Sequence, residues 1–221
     1  MHLLIVSCTP RAVAASNTDK ILTAFCAGFE AQGNTTERHY LARRDTWPQI
    51  RAAFEQNDDI LFALPLFVEC VPGIMLEFLE TLTPKTEQKA KISFLVQGGF
   101  VEGCQLRCCE AYLETLPAYL GGTYNGTLLK GGMFGVGFVT PKQREAALAP
   151  FVQAGVQFAQ NGCFEKQKAT EFAKPEYLSK GRALVLRFSK PLQKLFFEKI
   201  AKEQMHSAEP LDAKPFLQYV K

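Results

Sequence analysis

Three short segments of this chain carry residue types suited to holding a ligand. The first is Cys8-Thr9-Pro10-Arg11, followed a few residues on by Ser16-Asn17-Thr18. It offers hydroxyls, an amide and a guanidinium just ahead of a helical pattern. Backbone N–H groups at a helix start favour an anion, and hydroxyl donors complete its shell. Neither GxGxxG nor GxxxxGK[ST] occurs in the chain, so a monophosphate suits this loop better than a triphosphate. The plainer reading is an ordinary helix N-cap at Ser16 or Asn17. The second segment runs Pro65-Leu66-Phe67-Val68-Glu69-Cys70-Val71-Pro72-Gly73. Apolar and aromatic groups stand there where a strand end meets solvent, as a flat heteroaromatic ring would require. A buried loop packed on a helix would read the same way. The third is Gln97-Gly98-Gly99-Phe100-Val101-Glu102-Gly103. Its paired glycines let a backbone approach a ligand closely, or simply turn the chain.

Each segment follows a short apolar run: Leu3 to Val6, Ile60 to Leu64, and Ile92 to Val96. Such runs suit strands buried on both faces. Between them lie helical patterns. Ile21, Leu22, Phe25 and Phe29 share one face, with Gly33 beyond as a stop. Trp47-Pro48 opens a second helix, Pro72-Gly73 a third, and Cys104 a fourth that reaches about Leu120. Glu37 to Leu41 and Tyr124 to Leu129 are weaker strands, and Pro141 to Asn161 is a fifth helix. Five strands alternating with five helices predict an α/β fold with a doubly wound parallel sheet, and right-handed crossovers leave a few strand orders, of which 2-1-3-4-5 is one of the two common ones. Ligands bind such sheets outside the carboxyl ends of the strands, at the switch point beside strand one. That rule selects the three segments above.

The chain has 221 residues, of which 47% are hydrophobic. That suits one sizeable domain, or one domain with an extension. Residues 1–170 carry 15 basic and 16 acidic side chains, whereas residues 171–221 carry 10 and 6. The core therefore lacks the basic excess of a nucleic-acid binder, and no nucleic-acid partner is expected. Seven cysteines with irregular spacing, and no secretory pattern at the N-terminus, predict a reduced, cytoplasmic setting. Cys104, Cys108 and Cys109 fall on one helix without metal-ligand spacing and read as packed thiols, as does Cys70; no metal is assigned. Residues 166–180 are polar, and 189–205 form a basic amphipathic helix. Such a helix ordinarily covers its own domain or a dimer mate, an anionic membrane surface being the alternative. Phe216-Leu217 and Tyr219-Val220 are expected to dock on a partner surface.

At the three loops the sequence resembles the flavodoxin-like NAD(P)H-dependent flavin reductase family. Cys8-Thr9-Pro10-Arg11 with Ser16-Asn17-Thr18 matches its G-S-P-R and S-N-T segments. Pro65-Leu66-Phe67-Val68 with Pro72 matches P-L-Y-V-x-x-x-P. Gly99-Phe100-Val101-Glu102-Gly103-Cys104-Gln105 matches G-F-x-E-G-x-Q. The resemblance covers residues 1–165 and implies a flavodoxin-like FMN-binding domain there, with 166–221 a helical extension packed on the domain or a dimer mate. It implies FMN, its phosphate on Thr9, Arg11, Ser16, Asn17 and Thr18, and its ring against Pro65, Leu66, Phe67, Val68, Glu69, Gln97, Gly98, Gly99 and Phe100. Cys8 stands where the family has glycine, implying a tighter turn or a looser phosphate grip. Phe67 stands where tyrosine is usual and lacks its hydroxyl. The implied activity is hydride transfer from NAD(P)H through flavin to a flavin, quinone or similar small acceptor, in a homodimer. Such transfer needs no protein acid or base, so no catalytic residue is named. The alternatives are a flavodoxin-type electron carrier and a flavin-free interaction module of the same fold.

Overall fold

Alternation along the central strands sets the architecture. In β1 (His2–Ser7), Leu4 and Val6 point to one face of the sheet while Leu3 and Ile5 point to the other. In β3 (Asp59–Pro65), Phe62 and Leu64 oppose Leu61 and Ala63 in the same way. All these side chains are fully buried. A strand greasy on both sides must be covered on both sides, which requires two helical layers. Burying one such side chain contributes about 1.5–3 kcal/mol.

This is what the computed structural model shows, and it describes residues 1–67, 69–86, 89–204, 213 and 214. Val68, Met205 and the expected docking residues Phe216, Leu217, Tyr219 and Val220 lie outside the described residues. The five strands β1, β2 (Thr35–Tyr40), β3, β4 (Ala90–Gln97) and β5 (Gly122–Lys130) form one parallel sheet in the order β2-β1-β3-β4-β5. The helices between them are α1 (Asn17–Glu30), α2 (Trp47–Gln56), α3 (Gly73–Leu79) and α4 (Cys104–Tyr119), with α5 (Pro141–Asn161) after β5. The expected sheet order and all ten elements are present.

One face of the sheet packs on α2, α3 and α4, the other on α1 and α5. The α1–α5 crossing is close because both helices place a glycine at it. A Cβ on Gly28 would stand 1.9 Å from the Val152 carbonyl oxygen, and one on Gly155 would stand 2.0 Å from that of Phe25. Phe25, Phe29, Phe158 and Phe164 interlock around this crossing. The ends of α5 follow local chemistry: a Thr140–Gln143 capping box with Pro141 in the first turn, and Gly162 in the left-handed region at the far end.

Contacts divide the chain into two compact units, Met1–Tyr177 and Leu178–Lys221. The first unit thus continues past residue 165. It includes a short α6 (Lys166–Phe172) and a strap that follows it. The Gly103 and Cys104 N–H groups donate to the Pro175 and Glu176 carbonyls, and Arg107 pairs with Glu176 at 2.8 Å. The Lys130 ammonium donates to the Phe172 and Lys174 carbonyls. The second unit contains α7 (Lys180–Phe188) and α8 (Lys190–Gln204). Sequence periodicity anticipated α8; α6 and α7 are findings of the structure.

Candidate functional site

At the carboxyl edge of β1 the chain leaves the sheet in an ordered way. The Cys8 N–H donates to the Ala63 carbonyl at 2.7 Å and the Leu41 N–H to the Ser7 carbonyl at 3.0 Å. The Cys8 side chain turns into the core beside Val6 and Leu64, its thiol donating to the Val6 carbonyl at 3.4 Å. Burial pushes this thiol far above its usual range, so it carries no thiolate at neutral pH. Among the described residues, Glu69 is the one non-glycine residue with positive φ. Position 8 therefore has no need of glycine's conformational freedom, and its cysteine faces the core instead of the loop.

Past Cys8, Thr9 is buried and its Oγ1 accepts from the Arg11 N–H at 3.3 Å, fixing the turn. A short 3₁₀ turn, Val13–Ala15, leads to Ser16. Ser16 caps α1, its Oγ accepting from the Asp19 N–H at 3.1 Å. Thr18 Oγ1 accepts from the Gln97 side-chain amide at 3.4 Å, which ties α1 to the end of β4. The Asn17 amide donates to the Met133 and Phe134 carbonyls at 2.9 and 3.1 Å. These bonds draw the glycine-rich loop after β5 over the start of α1. Arg144 holds the same loop from the other side, donating to Val136 at 3.0 Å and to Gly137 and Val139 at 3.4 Å.

A cleft of about 230 Å³ opens between these loops. Thr9, Arg11, Asn17 and Thr18 line one part of it, and Pro65, Leu66, Phe67, Gln97 and Gly99 another. Phe134 and Phe138 complete the wall, their rings 5.4 Å apart at 51°. Among the described residues, Arg11 is the one charged member of the lining, and no carboxylate lines it. Behind it Asp19 is buried, and neither of its carboxylate oxygens has a hydrogen-bond partner among the described residues. Burial raises its carboxyl above the usual range, and the Ser7 and Ser16 hydroxyls, then the Arg38 and Lys20 charges, pull it back only in part.

The structure thus brings together nine of the expected site residues: Thr9, Arg11, Asn17, Thr18, Pro65, Leu66, Phe67, Gln97 and Gly99. Ser16, Glu69, Gly98 and Phe100 do not line the cleft. Ser16 is spent as the helix cap, and Gly98 lies buried, its N–H on the Lys130 carbonyl and its carbonyl on the Met133 N–H. The Phe100 ring is 71% exposed. Glu69 sits in the left-handed region, in a turn closed by Phe67 and Cys70 exchanging N–H···O bonds at 3.1 and 3.0 Å. Cys70 is exposed there, and Cys108 is exposed on α4, while Cys109 is buried; only the last is the packed thiol expected. Phe134 and Phe138 were not anticipated. The signal for them was the aromatic residues of a glycine-rich stretch, Gly131-Gly132-Met133-Phe134-Gly135-Val136-Gly137-Phe138.

No family model matches the chain, and no curated protein matches it. Solved structures do. An NAD(P)H:quinone oxidoreductase from Methanothermobacter marburgensis superposes with a TM-score of 0.57 at 17% identity, over 72% of this chain and 96% of that one. An FMN-dependent NADH-azoreductase from Bacillus anthracis str. Ames Ancestor, in complex with FMN, gives 0.54 at 12%, over 72% and 99%. The fold is flavodoxin-like. RosB with a bound flavin-phosphate intermediate matches over 86% of this chain and 87% of its own, with a TM-score of 0.53 at 15% identity. In this flavodoxin-like sheet, the cleft stands where the strand order reverses beside β1.

Proposed function

We propose that the cleft holds FMN and that the protein is an NAD(P)H-dependent oxidoreductase acting on a flavin, quinone or similar small acceptor. The observation that carries this reading is the division within one cleft. Hydroxyls, a guanidinium and a helix start lie together, and apolar walls lie beside them. A helix N-terminus with one cation and, among the described residues, no lining carboxylate suits an anion. Asp19 does not line the cleft, and burial holds its carboxyl above the usual range. Pro65, Leu66, Phe67, Phe134 and Phe138 suit a planar ring.

In this reading Thr9, Arg11 and Thr18, with the first N–H groups of α1, hold the phosphate. Asn17 acts at one remove, by holding the Phe134–Phe138 loop in place. Gln97 braces Thr18 and closes the floor. FMN, when bound, supplies the two-electron chemistry; the protein orients it and excludes water from one side. The core is near neutral in charge, which favours a reductase over a strongly acidic carrier protein. The names of the superposed structures, a quinone oxidoreductase and an azoreductase among them, agree with a small-molecule acceptor. A cytoplasmic homodimer belongs to the same proposal, and light scattering of the purified protein tests the dimer.

The test is spectroscopic. The purified chain, titrated with FMN, is expected to bind it and show the visible flavin band. Anaerobic NADH or NADPH is then expected to bleach that band rapidly. Binding without bleaching would make the protein an electron carrier. Failure to bind would leave a flavin-free module of the same fold.

A further inference from the structure

The second compact unit combines exposed apolar side chains with a concentrated positive charge. On α7, Val185 is 67% exposed and Phe188 75%, with Leu184 and Leu186 also exposed. On α8, Leu195 is 63% exposed, and Phe196 and Phe197 are exposed beside it. Surface residues of this size are unremarkable singly, but a cluster on two short consecutive helices marks an interaction surface. At about 100° per residue, Leu184, Val185 and Phe188 share one side of α7, with Lys180 and Arg187 along one flank and Arg182 along the other. Residues 178–204 carry seven basic and two acidic side chains, although the whole chain is only +3. This stretch is therefore +5 (seven basic minus two acidic), with Lys194 and Glu198 paired within it at 3.7 Å.

We propose that α7 and α8 form a docking surface for an anionic phospholipid bilayer, lying in its headgroup region with Phe188, Val185 and Leu195 inserted. Interfacial segments are recognised by this pairing of Phe and Leu with flanking Lys and Arg. Charge decides the occupant. A second copy meeting this surface across a two-fold axis would set one basic patch against another, whereas an anionic membrane complements it. No helix among the described residues is long and apolar enough to cross a membrane, so the mode is surface binding. The proposal stands independently of what the cleft binds.

The full-length protein is mixed with sedimentable vesicles of phosphatidylcholine alone, or of phosphatidylcholine containing phosphatidylglycerol. It is expected to pellet with the second and not the first, and to be released at about 1 M salt, where the screening length falls to about 3 Å. A Val185→Ser/Phe188→Ser variant and an Arg182→Glu/Arg187→Glu/Lys190→Glu variant are each expected to bind the anionic vesicles at least about tenfold more weakly. Their far-UV circular dichroism is expected to stay unchanged. Pelleting that ignores lipid charge, or persists undiminished in both variants, overturns the proposal. So does a failure to pellet together with a dimer that Val185→Ser/Phe188→Ser dissociates, which would make the face a contact between copies.

Discussion

Among the described residues, Arg11 is the one charged group lining the cleft, and it is exposed to solvent, from which a ligand would arrive. A hydrogen bond to a charged partner contributes about 1.5–3 kcal/mol. Arg11→Ala is therefore expected to weaken FMN binding about tenfold or more by fluorescence titration, with an unchanged melting temperature. An unaltered affinity would remove Arg11 from the phosphate site. Asp19 makes a prediction of opposite character. Its folded-state carboxyl is raised by burial, so the native state binds the proton more tightly than the unfolded chain does. Stability attributable to Asp19 is then greatest below its unfolded value, about 3.9, and declines as pH rises through the folded one. Asp19→Asn is expected to be more stable than the parent at neutral pH, the gap closing as pH falls through the folded value towards about 4 and staying level below it. Urea unfolding at several pH values measures this. A constant gap would show that the carboxyl does not titrate differently in the two states.

At the scale of elements, the α1–α5 crossing depends on the absence of two side chains. A Cβ on Gly155 would fall inside the Phe25 backbone, which cannot yield as a flexible side chain can. Gly155→Ala is expected to cost about 2–3 kcal/mol by overpacking, even though alanine favours a helix. A gain in thermal stability would mean that α5 moves away at little cost. The strap after α6 is the second element-scale device. It is held to the start of α4 and to Lys130 by backbone and ionic contacts. A chain ending after Tyr177 is expected to melt cooperatively and keep its cleft, whereas one ending after Glu165 loses those contacts and melts at a lower temperature. Equal melting temperatures would show that the strap contributes nothing.

For the molecule as a whole, the legible and the illegible parts of the sequence have different physical origins. Fully buried strands announce themselves as unbroken apolar runs, and α1, α4 and α5 as periodic faces with proline or glycine at their ends. Handedness of crossovers narrows the strand order to a few, the resemblance to flavodoxin-like reductases picks 2-1-3-4-5 among them, and the position of the cleft goes with that order. The switch-point rule selects the loops that hold Thr9, Arg11, Thr18, Pro65, Phe67 and Gln97, and the resemblance to flavin reductases implies these residues as ligand-facing; the structure places all six along one cleft. Ser16 was ambiguous because the same hydroxyl that coordinates an anion also caps a helix; the local bond to Asp19 took it. Phe100 and Glu69 were placed by adjacency in sequence, which does not say which way a loop residue turns. Only tertiary structure could join Asn17 to Met133 and Phe134 and so bring Phe134 and Phe138 to the cleft, since hydrogen bonds between residues so far apart leave no periodic trace. The direction of the Cys8 side chain was decided the same way, by packing against Val6 and Leu64. The sequence alone determined the layers and the rim at which ligands gather, because burial and chain handedness are written in local pattern. Tertiary contacts decided which side chains reach that rim.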